Sequence, residues 1–216
     1  MWRNVGLGVL LMVSTVAVAK TPKILEVYRE YLKPNAAREL RKIEVDSAQI
    51  CIRLKFPRRY LVLESVTGPK EFWYLNAFES QEEIDEVGRL YEGNSELKTA
   101  LAENLKRKDP YLAAESSNVF LKYRGDLSGH MPWQMGNGRF LIVTWSKRSA
   151  AGDGTVFEDA EGTQLVLQAA RTRTEARSIA LTAGKGASVL KIRPELGWPD
   201  AGWVKDDPEF WRVRQR

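Results

Sequence analysis

His130 is the only histidine of the chain and Cys51 its only cysteine, so the residue types that most often carry catalysis and metal binding reduce to two positions. An imidazole exchanges a proton near neutral pH or ligates a metal. His130 stands beside Met131, Trp133 and Met135 in a glycine-rich stretch, residues 125–138. There it would serve as a haem ligand, a proton shuttle or part of a soft His/Met copper site. A solvent-exposed loop histidine is the preferred reading, because a blue-copper site needs a second His and a Cys nearby. One His and one Cys also exclude zinc sites built from such clusters. The sequence calls for no metal and no cofactor. Cys51 has no partner for an intramolecular disulfide, and on the apolar side of a predicted helix it reads as a buried small hydrophobe.

The carboxylates are the second source of chemistry. Glu26 and Glu30 share a strand face with Tyr28, Glu64 falls mid-strand, and Glu71 opens the next strand. Strand side chains alternate between faces. If Leu61, Leu63 and Ser65 lie under helices, then Tyr60, Val62, Glu64 and Val66 point the other way. A buried Glu64 needs a cationic partner, and Arg124 or Lys122 would supply it. Such a site could hold a polar ligand or act as a general base. A structural ion pair across strands is the preferred reading. Trp73, Tyr74 and Trp145 suit strands for packing alone, although they would also line an apolar pocket. Glu64, Tyr28, Trp73, Arg124 and His130 are the candidate pocket residues, and no catalytic residue is assigned.

Recognisable motifs are missing. There is no Walker loop, GxSxG elbow or HExxH helix. Gly184-Lys185-Gly186-Ala187-Ser188 leads into a strand, whereas a phosphate loop must lead into a helix. The net charge of +5 is spread as interspersed acids and bases, as in Lys42-Ile43-Glu44. That pattern is a solvated surface and excludes a nucleic-acid stripe.

The elements that must position these residues follow from periodicity. Residues 1–19 read as an export signal: Arg3, an uncharged run from Val5 to Val18, and Ala17-Val18-Ala19 as a small-x-small cleavage site before Lys20. The run is shorter than the ~20 apolar residues a bilayer span needs. The expected product is periplasmic or secreted, with no stable membrane anchor after cleavage. Residues 24–32 read as a strand, 36–55 as a helix with Leu40, Ile43, Ser47, Ile50, Cys51 and Leu54 on one face, and 60–78 as a hairpin turning at Gly68-Pro69. Ser80 caps a helix, a second helical stretch ends before Pro110, and 118–124 is a strand. Beyond the connector come a strand over 139–147, a hairpin over 155–170, a helix from Thr172 to Ala183, and a last strand over 188–193. Ser80 with Glu83, and Thr172 with Glu175, each spell a capping box, in which the Glu reaches back to the cap's own N–H. The Trp-rich tail is expected to be irregular and pinned to the body.

The order is βαββαβ followed by βββαβ, a split-βαβ pattern used twice with one helix lost. The fold class is therefore α+β with tandem ferredoxin-like units. The expected divisions are 20–128 for the first unit, 129–138 for a linker, 139–193 for a degenerate second unit and 194–216 for the tail.

The strand Leu25-Glu26-Val27-Tyr28-Arg29 followed by Leu32-Lys33-Pro34, the hairpin Gly68-Pro69-Lys70-Glu71-Phe72-Trp73-Tyr74-Leu75, and the repeated strand–cap pair resemble the dimeric α+β barrel superfamily, near its NIPSNAP-like and antibiotic-biosynthesis-monooxygenase-like domains. The resemblance implies that the two halves close one barrel within the chain, with Glu64 facing its interior. It also implies a range of activities, because fold does not choose a reaction. The missing helix would leave one sheet face bare, which makes a homodimer a candidate assembly. The expected function is non-enzymatic binding of a small molecule or a protein. The alternative is a cofactor-poor monooxygenase- or isomerase-like enzyme.

Overall fold

The computed structural model describes residues 20–129, 135–147 and 153–212. Residues 1–19, where the sequence reads as an export signal, and His130 lie outside the described residues. Along the chain run β1 (Ile24–Tyr31), α1 (Ala37–Arg53), β2 (Leu61–Ser65), β3 (Glu71–Phe78), α2 (Gln81–Gly93), α3 (Ser95–Lys108), β4 (Ser117–Tyr123), β5 (Phe140–Ser146), β6 (Thr155–Glu158), β7 (Gln164–Ala170), α4 (Arg173–Ala183), β8 (Ser188–Ile192), α5 (Ala201–Asp206) and α6 (Pro208–Trp211). Among the described residues no helix is long and apolar enough to cross a membrane.

The strands form one closed barrel in the order β1-β3-β2-β8-β5-β7-β6-β4, and every pairing is antiparallel. The first four strands lie as β4-β1-β3-β2, and the last four repeat that order as β8-β5-β7-β6. The two sets join where β2 meets β8, with Leu63 opposite Ile192, and where β4 meets β6, with Lys122 opposite Glu158. Closure therefore takes place within one chain and leaves no sheet edge open.

Strand alternation fills the interior. Leu25, Val27, Leu61, Leu63, Trp73, Leu75, Leu121, Leu141, Phe157, Leu165 and Leu190 pack into one buried cluster to which all eight strands contribute. The outward faces carry a second cluster beneath α1, with Leu40 against Val62, Phe72 and Tyr74. A third lies beneath α4, where Ala176 meets Ile142, Ala170 and Val189. This reverses the expected facing of β2: Leu61 and Leu63 point into the barrel, while Val62 and Glu64 point out toward α1. Both faces of β2 are apolar, so alternation alone had no means of telling the barrel interior from the layer under the helices.

The tail is more regular than expected. Asp200 and Asp207 cap α5 and α6 through their side chains. These helices stop one end of the barrel, where Trp211 is buried within the interior cluster and its Nε1 donates to the Gly136 carbonyl at 2.8 Å. Trp203 stacks beside Trp211 at 5.0 Å between ring centres. A Cβ on Gly136 would stand 2.5 Å from Trp203 Cδ1, so the connector needs glycine there. Arg139 clamps the plug by pairing with Asp207 and lying 3.7 Å over the Phe210 ring.

Candidate functional site

Side chains pack the middle of the barrel, and a large apolar space lies outside it. A cavity of about 640 Å³ separates the outer face of β1, β3 and β4 from α1, α2 and α3. The sheet contributes Glu26, Tyr28, Tyr74, Asn76, Phe78 and Phe120. The helices contribute Glu44, Ser47 and Cys51 from α1, Ile84, Val87 and Tyr91 from α2, and Leu101, Leu105 and Lys108 from α3. It exists because α2, fixed by its Ser80 cap, buries none of its residues and stands off the sheet. A size of 300–1,000 Å³ with mostly apolar walls is usual for a small-molecule site.

The polar end of this cavity is a buried charge cluster. Glu30 is 0 %, Glu44 2 % and Lys108 8 % exposed. Lys108 Nζ donates to Glu30 Oε1 at 2.5 Å and lies 2.9 Å from Glu44 Oε1. The Tyr74 hydroxyl donates to Glu30 Oε2 at 2.7 Å. Glu44 Oε1 has the ion pair but no hydrogen bond. Burial pushes the Glu44 carboxyl above its ordinary range; the Lys108 charge opposes this and the Glu30 charge adds to it. Lys108 is held above its ordinary value because its two carboxylates outweigh the cost of burial. Burial likewise raises the Tyr74 and Tyr60 phenols, and it raises the Cys51 thiol to about 11, so the thiol is no nucleophile at neutral pH. The Tyr60 hydroxyl is turned toward Cys51 Sγ at 3.7 Å.

The sequence-derived candidates scatter. Tyr28 lines the cavity, 5.5 Å from Tyr74 between ring centres. Trp73 lies inside the barrel, and its Nε1 donates to Glu71 Oε2 at 2.6 Å while Arg29 covers its ring. Those groups, with Trp145, border a recess of about 180 Å³ at the barrel end opposite the plug. Glu64 lies on the outer face and pairs with Arg41 at 2.5 Å and Arg193 at 3.5 Å, not with Arg124 or Lys122. Arg124 instead binds Asp126 and Glu158. Glu64 thus pairs both with α1 through Arg41 and with Arg193, just past the end of the neighbouring strand β8. Glu44 was hidden among the surface charges of Lys42-Ile43-Glu44. Its signal was the spacing Leu40, Glu44, Ser47, Cys51, which sets a carboxylate on the apolar stripe of α1.

Another recess, of about 610 Å³, opens beside the plug and holds Lys20, Arg58 and Arg59. Each of these cations is already engaged, by Glu79, by Glu83, and by the Pro199 carbonyl with the Trp198 ring, respectively. Among the described residues no group of three or more His, Cys, Asp or Glu is placed to hold a metal ion.

No family model matches the chain, and no curated protein does. Solved structures do. A candidate monooxygenase of Fusobacterium nucleatum subsp. nucleatum superposes with a TM-score of 0.50 at 7% identity, covering 80% of this chain and 93% of that one. A candidate monooxygenase of Lactobacillus acidophilus gives 0.42 at 10% identity over 80% and 93%. An uncharacterised NIPSNAP-like domain protein of Burkholderia xenovorans gives 0.39 at 22% identity over 52% and 95%. The closed antiparallel barrel with its flanking helices is the fold shared with the Fusobacterium protein. At these identities the likeness is one of fold alone.

Proposed function

We propose that this chain is an exported small-molecule-binding protein whose ligand sits between the helices and the outer face of the barrel. The observation that carries the reading is the cavity of about 640 Å³, walled by apolar side chains and ending on Glu44 and Lys108. The barrel reads as two fused ferredoxin-like units, supported by the repeated order β4-β1-β3-β2 and β8-β5-β7-β6. Export rests on the sequence of residues 1–19 and predicts that protein recovered from the envelope or medium begins at Lys20, as read by intact mass.

Binding is tested by titrating the neutral apolar dye Nile red. Wild type is expected to bind about one dye per chain with enhanced fluorescence, and Val87→Trp to lose it, because the indole fills the cavity from α2. Since α2 buries no residue, this variant keeps its thermal midpoint. A wild type that leaves the dye dark, or a variant that binds it equally, overturns the reading. The enzymatic alternative gains one point from the same place, since Glu44 is a buried proton carrier at the cavity wall. Recovery of the added ligand unchanged separates holding from turnover.

A further inference from the structure

The charge and hydrogen-bond balance of the cavity wall selects a ligand class. Glu30 and Glu44 face a single ammonium, Lys108, so the cluster holds one more acid than base. Its donors turn to groups of the wall itself: Lys108 to the two carboxylates, the Tyr74 hydroxyl to Glu30 and the Tyr60 hydroxyl to Cys51. Glu44 Oε1, buried at the cavity wall, shares the Lys108 ammonium with Glu30, so two carboxylates have one cation between them. A further carboxylate, Glu26, also lines the space and is held by the Asn76 and Asn118 amides.

The walls add aromatic faces. Tyr28, Phe56, Tyr60, Tyr74, Tyr91 and Phe120 all line the space. Phe56 meets Tyr60 and Tyr91 nearly edge-on, at 84° and 73°, so the rings enclose a volume instead of stacking into a layer. Lys108 Nζ already lies 5.5 Å from the centre of the Tyr74 ring. Aromatic faces beside uncompensated acid are the recognition chemistry of an organic cation.

We infer that the cavity takes an organic ammonium ion, a single positive charge on an apolar aryl or alkyl body, set against Glu44. The inference rests on the small-molecule reading above and adds the charge of the ligand. Glu44 is surrounded by Lys108 at the end of α3, Glu30 on β1, Tyr74 on β3, Tyr60 ahead of β2, and Cys51 on its own helix. A cation arriving there favours the carboxylate over the acid, so binding drives the Glu44 proton into solvent, and ammonium affinity falls as pH drops.

Calorimetry of the full chain with phenylbutylamine, phenylbutanol and phenylbutanoate tests this. The amine is expected to bind about tenfold tighter than the alcohol, and the carboxylate weakest of all. Amine heats measured between pH 5 and 8 in buffers of different ionisation enthalpy are expected to show proton release. Glu44→Gln should abolish that release and the advantage of the amine while leaving the alcohol unchanged. If that variant does not fold, Tyr28→Leu should shrink the same advantage. An alcohol or carboxylate that binds as tightly as the amine overturns the ammonium inference and leaves the small-molecule reading standing. Absence of binding by all three overturns the inference, and loss of Nile red binding in addition takes the reading with it.

Discussion

Glu30, Glu44, Tyr74 and Lys108 come from β1, α1, β3 and the last turn of α3, and none lies near another in sequence. The cluster was legible only in fragments: Glu30 on the face of Tyr28, and Glu44 in the register of Leu40, Ser47 and Cys51. Lys108, beside Lys106 and Arg107, carries no local mark of burial. What it costs follows from charge. The Glu44 carboxyl has its folded pKa raised above its ordinary 4.5, so the stability tied to its neutral form is complete below that value and is lost as pH rises through the folded pKa. Lys108 is pushed upward and stays charged across this window. Thermal melts from pH 4 to 8 should therefore show a Glu44-dependent decline in wild type that Glu44→Gln removes. At pH 8 the Gln variant is expected to be the more stable of the two. An unchanged slope in the variant would mean that Glu44 does not titrate in the folded protein.

At the scale of elements, the two capping boxes share a sequence logic and differ in what they support. Thr172 accepts from the Glu175 N–H at 3.1 Å, and Glu175 accepts from both Arg171 and Thr172. Ser80 accepts from the Glu83 N–H at 3.3 Å, but Glu83 reaches the Glu79 N–H instead of the cap's own, and its other oxygen pairs with Arg58. Behind Thr172, α4 covers the barrel through Ala176, whereas α2 buries nothing. Thr172→Ala should therefore lower global stability by about 1 kcal/mol in denaturant unfolding. Ser80→Ala should leave that midpoint nearly fixed and instead speed amide exchange within α2. Equal loss in both would show that α2 is part of the cooperative core. Existence and order of the elements from β1 to β8 were legible because caps, turns and periodicity are local, whereas the tail helices α5 and α6 were not. The facing of β2 was not, since a barrel offers its strands two apolar environments and alternation marks neither as the inside.

At the scale of the molecule, the repeated strand–helix unit was legible, and so was a barrel closed within the chain. The seams were not: β2 with β8 and β4 with β6 pair segments far apart in sequence, where no turn fixes register. Nor was the destination of the tail, which was expected only to be pinned to the body. Instead α5 and α6 stop the barrel, and Trp211 stands in the interior beside Met135. A chain that emerges from the ribosome N-terminus first can pair β1 with β3 and β4 early, but it lacks the last piece of its core until residue 211 is free. Synthesis order thus delays completion of the barrel until its C-terminal stopper has been made.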